Sequence, residues 1–155
     1  MKRSTLIFMV IFILVISILG VGCSMVNGKS SYSDDKFKPG QVWSYKTRPG
    51  EEKSVITILR VENDEKLGVI VHIAVNNLNI KDSSGKIHDN ISHLPFSKSA
   101  LENSVNEVTG ENVTLPDYQE GYDTWKNAFD DGKAGVWSIT VNEAIKAMEE
   151  VLNQQ

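Results

Sequence analysis

The stretch "LGVIVHIAVNNLNI", residues 67–80, most constrains what this chain can fold into. Leu67, Val69, Val71, Ile73 and Val75 alternate without a break. A period of two places all five on one face of an extended strand. A face that apolar must be covered, so the strand is central in a sheet and its odd positions are core. His72 falls on the other face, beside Ile70 and Ala74. Leu78 and Ile80 continue the pattern to a turn at Asp82-Ser83-Ser84-Gly85.

The neighbours of this strand read as sheet too. Pro39-Gly40 turns the chain into an alternating segment in which Gln41, Trp43 and Tyr45 share a face. Arg48-Pro49-Gly50 is a second turn, because Pro presets φ and Gly accepts positive φ. Residues 54–62 are rich in Val, Ile and Thr, the content of a strand, and complete a hairpin. After the turn, "KIHDNISHLPFS" reads as extended and irregular, with Pro95 forbidding a central strand position.

The second half changes period. Ser97 can cap a helix running to about Val108, with Leu101, Val105 and Val108 on one side. Asp117 and Glu120 have capping-box spacing, and Tyr118, Tyr122, Trp125 and Phe129 then form one helical stripe that ends at Asp131-Gly132. Residues 135–140 read as a short strand. Thr140 and Glu143 cap a last helix whose Val141, Ile145, Met148 and Leu152 face inward. Sheet first and helices afterwards predicts an α+β fold: an antiparallel sheet packed by about three helices.

The N-terminus speaks to location. Lys2 and Arg3 precede fourteen residues, 6–19, that are apolar apart from Ser17. At about 1.5 Å per residue they span roughly 21 Å of helix, short of the bilayer core. A positive start, a short apolar run and the small residues Gly20, Val21 and Gly22 make a secretory signal. Cys23, the single cysteine of the chain, follows at once. The arrangement resembles the lipobox of bacterial lipoproteins, with one departure: Gly20 stands where that motif usually has Leu, and Leu19 is one place early. The resemblance implies that residues 1–22 are removed and that Cys23 carries a diacylglycerol as the new N-terminus. Residues 23–36 then read as the lipidated cysteine and a flexible tether, and 37–155 as one domain. Location follows: a cell membrane or outer membrane, with the domain outside the cytoplasm.

Residues 1–22 hold two of the sixteen basic side chains and none of the twenty acids. Fourteen against twenty leaves the mature chain at a formal −6. That balance carries no footprint for nucleic acid or for anionic lipid, so membrane contact is assigned to the lipid and any protein partner to the envelope.

Chemistry is sparse in the pattern. There is no HExxH, no G-x-S-x-G elbow and no phosphate-cradling glycine loop, so no catalytic residue, metal ligand or cofactor is assigned. Three candidate binding residues stand out: Arg48, whose guanidinium at a hairpin tip can clamp a carboxylate, and His72 and His93. The Tyr118–Phe129 stripe reads first as core and second as a partner groove. The stretches "PGQVWSYKTRPGEE", "HLPFSKSAL", "GYDTWKNAF" and "KAGVWSITVNEAI" are similar to a family of uncharacterised bacterial proteins, some lacking an export signal. That resemblance implies no activity. Three functions remain in view: a non-enzymatic binding or inhibitor-like module, a hydrolase around His72, His88 and His93, and an assembly lipoprotein. Two histidines and an acid within about 3–4 Å of one another in a pocket would favour the hydrolase.

Overall fold

The computed structural model describes residues 32–154. The expected signal segment 1–22, Cys23 and most of the expected tether lie outside them. Described structure begins at residue 32, earlier than the expected domain start at 37. Asp34 is buried, its carboxylate accepts from the N–H groups of Lys36 and Phe37, and it pairs with Lys98 at 2.6 Å. Phe37, fully buried, packs 5.5 Å from the ring of Trp43.

The fold is α+β. Five strands, β1 (Val42–Tyr45), β2 (Val55–Asp64), β3 (Gly68–Lys81), β4 (Ile87–Ser97) and β5 (Val105–Gly110), form one sheet in the order β4-β3-β2-β1-β5. Every pairing is antiparallel. Three helices follow the main strands: α1 (Lys98–Glu102), α2 (Gln119–Asp130) and α3 (Val141–Leu152).

The alternation of β3 sorts the helices. Val71, Ile73 and Val75 are fully buried in the main core with Ile56, Ile58 and Phe96, under Leu101 of α1 and Val141, Ala144 and Ile145 of α3. The even positions face the other way, where Ile70 packs with Tyr122 and Trp125 of α2. The sheet is therefore covered on both faces, and the aromatic stripe of α2 is what covers the second. Tyr118 and Phe129, at the ends of the stripe, are partly buried against the same cluster. Leu67, the first of the alternating set, precedes the strand and is exposed.

Three expectations are corrected. The helix from Ser97 stops at Glu102, and Val105–Gly110 is strand β5 instead. Val105, Val108 and Thr109 are β-branched, and β1 would otherwise present a bare edge; Trp43 pairs with Val108 across that edge. Residues 135–140 form no strand. Trp137 alone makes a parallel bridge to Phe96, donating its N–H to Pro95 O at 2.9 Å and accepting from Ser97 N at 3.0 Å. Asp117 and Glu120 do not form a capping box: Tyr118 is the N-cap and no side chain caps α2. At Thr140 and Glu143, which have the same spacing, the box is present, with Thr140 N donating to the Glu143 carboxylate at 2.9 Å. Pro95 sits where its missing donor is harmless, on edge strand β4 opposite His72.

Candidate functional site

Two irregularities in the sheet build the site. β2 slips by one residue between Ile58 and Arg60, so Leu59 is extra in the pairing with β3. Up to the slip, Ile56 and Ile58 enter the main core; past it Val61 does, which turns Arg60 and Glu62 to the α2 face. β4 slips in the same sense between Ile91 and Leu94, opposite Val75 and Ile73. Ile91, Leu94 and Phe96 keep to the main core, and His93 goes to the α2 side. Bulges re-aim side chains at sheet rims and next to active sites. Here one on each side of β3 delivers Glu62 and His93 to His72.

His72 is 0 % exposed. Its Nδ1 lies 2.9 Å from His93 Nε2, and its Nε2 lies 3.3 Å from Glu62 Oε1. The imidazole planes are within 18° of parallel, with centroids 5.1 Å apart. Together with the short nitrogen contact, that places the rings edge to edge, the geometry of an in-plane hydrogen bond rather than of a face stack. The Glu62 contact is an ion-pair distance outside hydrogen-bond geometry, so Nε2 is buried without a hydrogen-bond partner among the described residues. Trp125 and Tyr122 close over His72 edge-on, at 4.8 and 5.1 Å between centroids. Glu62 Oε2 accepts from Arg60 Nε and Tyr122 Oη, each at 3.0 Å, and the Arg60 guanidinium sits 4.6 Å over the Tyr122 ring.

These contacts fix the protons. A lone pair on His72 Nε2 would face a carboxylate, so with the pair neutral Nε2 carries the hydrogen and Nδ1 is the acceptor. His93 Nε2 must then be the donor, which leaves the lone pair on His93 Nδ1. That atom has no hydrogen-bond partner among the described residues, and it is not a buried one. Burial raises the Glu62 carboxyl, but His72, Tyr122 and Arg60 outweigh it and hold the group at about 2. Burial first, then the Glu62 charge and hydrogen bond, pushes Tyr122 up to about 12. Burial first and then a charge on His72 pushes His93 down to about 4, against the pull of Glu62. A second proton on the histidine pair is thus strongly resisted.

His93 lines a cleft of about 520 Å³ between β4 and α2, with Ser92, Tyr118, Gly121, Thr124 and Trp125. Asp117 and Glu120 line it too. Gly121 is required for the close approach: a Cβ there would meet His93 Cβ at 2.9 Å.

The candidates from the sequence separate cleanly. His72 and His93, twenty-one residues apart, meet at 2.9 Å and His72 lies 3.3 Å from Glu62, while of the three only His93 lines the cleft. His88 does not join them; it pairs with Asp82 at 2.9 Å beyond the β3–β4 turn. Arg48 is engaged within the chain, with Glu51 and with Glu149 of α3, both at 2.6 Å. Sequence patterning does not single out Glu62, Arg60 or Tyr122 for the site, since a one-residue bulge decides which face of β2 reaches α2 and has no signature in the pattern. Among the described residues no three or more His, Cys, Asp or Glu are grouped to hold a metal ion, and no helix is long and apolar enough to cross a membrane. No family model, curated protein or solved structure matches this chain.

Proposed function

We propose that this protein is a lipid-anchored component of a bacterial envelope whose domain takes a small ligand in the cleft between β4 and α2. The observation that carries the ligand site is His93, which lines the cleft with one ring nitrogen held by a buried histidine and the other without a hydrogen-bond partner among the described residues. Polar groups few in number and fixed in orientation, set among aromatic rings, are the usual make-up of such sites. The lipobox-like end of the signal, the short apolar run and the absence of a second cysteine support the anchor.

Two measurements test the two halves. Nuclear magnetic resonance of the full-length protein in detergent, titrated with a set of amine, carboxylic acid and ester fragments, should shift resonances of residues 92–95 and 117–128 together. Thr124→Trp, which fills the cleft from an exposed helical position, should abolish those shifts while leaving the rest of the spectrum in place. Shifts confined to another surface would move the site there. For the anchor, intact mass of the membrane-extracted protein should equal residues 23–155 plus a diacylglycerol and commonly one further acyl chain. Cys23→Ser should remain at full-chain mass or be cut elsewhere without lipid. Two or more chains hold a protein firmly to a bilayer where one does not, so the wild type should sediment wholly with membranes. A wild-type mass equal to the full chain would end the lipoprotein reading.

A further inference from the structure

We infer that the cleft is a hydrolytic site in which His93 acts as general base on water, attacking short carboxylic esters of neutral or positive charge. The inference rests on the cleft being the ligand site and adds an activity to it. Three independent features of the fold meet there.

The first is the row Glu62–His72–His93, with contacts of 3.3 and 2.9 Å. A base that takes a proton must place the resulting charge. Here the proton enters at His93 Nδ1, the hydrogen shared between the rings moves from His93 Nε2 to His72 Nδ1, and the cation rests on His72 against Glu62. There the cation faces the Glu62 carboxylate, 3.3 Å from His72 Nε2. His72 and Glu62 are positioning residues and His93 is the catalytic one. The second feature is the bare start of α2. Its N-cap Tyr118 supplies no side-chain cap, and Gln119 N reaches only Asp117, at 3.3 Å. The N–H groups of Glu120 and Gly121 have no helical carbonyl to bond, and both residues line the cleft beside His93. Such a pair can receive the oxyanion of an acyl addition. The third is charge. Asp117 and Glu120 are the charged residues of the lining, which disfavours an anionic substrate.

The step balances without a co-reactant. Water oxygen bonds to the acyl carbon as His93 Nδ1 takes one of its protons, and the carbonyl π pair moves to oxygen. The intermediate collapses, the bond from carbon to the alkoxy oxygen breaks, and that oxygen leaves with the proton held by the histidine pair. Acid and alcohol are the products. The groups that set the pH dependence are His72 of β3, Glu62 and Arg60 of β2, and Tyr122, Glu120 and Asp117 on or just before α2.

The experiment uses the full-length protein in detergent with 4-nitrophenyl butyrate, butyrylthiocholine and a 4-nitrophenyl ester bearing a free carboxylate. Turnover of the first two should exceed that of the third. His93→Ala should lower kcat/KM by about 10²-fold or more, and imidazole should restore it saturably by entering the vacated space. His88→Ala should match the wild type. Glu62→Gln should lower the rate and shift its acid limb to lower pH, because the pair loses the anion that favours its first proton; a merely structural Glu62 would leave the limb in place. Thermal melts confirm that each variant is folded. No turnover above His93→Ala overturns the inference, as does loss in His93→Ala without imidazole rescue. If fragments still shift the cleft resonances, ligand binding survives that failure; if none do, both readings fall together.

Discussion

Val71→Asp should leave the domain without a cooperative unfolding transition. Val71 has no exposed surface and lies between Val61 of β2 and Phe96 of β4, with main-core side chains on its face of the sheet. The substitution removes about 1.5–3 kcal/mol of apolar burial and places a carboxyl where no donor can reach it. An uncompensated buried polar group adds several kcal/mol more, and a charged one more still. Against a total stability of about 5–15 kcal/mol for a domain, that is enough to unfold it. Val71→Ala, which deletes only two methyl groups, should cost about 2 kcal/mol and keep a sharp transition. Circular dichroism melts of the two variants decide the point. A Val71→Asp protein that melts cooperatively near the parent temperature would mean that the odd face of β3 is not the core.

The same strand shows how much of the fold is legible in the residue pattern. Alternation from Val69 to Val75 names the buried face, the hairpin of β1 and β2 follows from its two turns, and the stripe Tyr118–Phe129 names the inner face of α2. These are repeated local signals, and nothing tertiary opposes them. The pattern fails where a single contact decides. Ser104 Oγ donates to Ala100 O at 2.7 Å and accepts from Val141 N at 3.0 Å, fixing the chain where α1 ends and β5 begins. A helical pattern of Leu101, Val105 and Val108 cannot register that bond. The site is half legible. Parity places His72 on the correct face, while His93 is visible only as a histidine. The arrival of Glu62 and of His93 at His72 depends on Leu59 and on the slip beside His93 respectively, each one residue long, and parity counting carries straight through a bulge. Glu62 is the clearest case. Counted from Ile56 and Ile58 it belongs to the main core, and only the slip at Leu59 brings it to His72.

The charge placed there makes the domain acid-labile in two stages. His93 is pushed from 6.5 down to about 4 by burial and by a charge on His72. The unfolded chain therefore binds that proton first, and stability present above pH 6.5 is lost as pH falls toward 4. Glu62 is held at about 2 against an ordinary 4.5. Its contribution is complete above pH 4.5 and disappears as pH falls toward 2. Each stage is worth roughly 3–3.5 kcal/mol, at about 1.4 kcal/mol for each unit between folded and unfolded values. Because His93 sits in the field of Glu62, the two are not independent, and together they remove roughly 4–5 kcal/mol. Urea midpoints of the wild type should thus be level near pH 7–8 and decline through pH 5.5 and 4. His93→Gln can still donate to His72 Nδ1 but cannot gain a charge, so it should abolish the decline between pH 6.5 and 4.5 and keep the one below. Glu62→Gln should be less stable than the wild type at pH 7 and should decline less steeply below pH 4.5, the remainder coming from Asp34, Asp82 and Glu149, which their partners also hold below the usual carboxylate range. Wild-type and His93→Gln midpoints that fall in parallel between pH 7 and 5 would show that the histidine pair accepts its second proton without resistance. Both the acid lability and the direction of proton flow argued for the cleft would then be wrong.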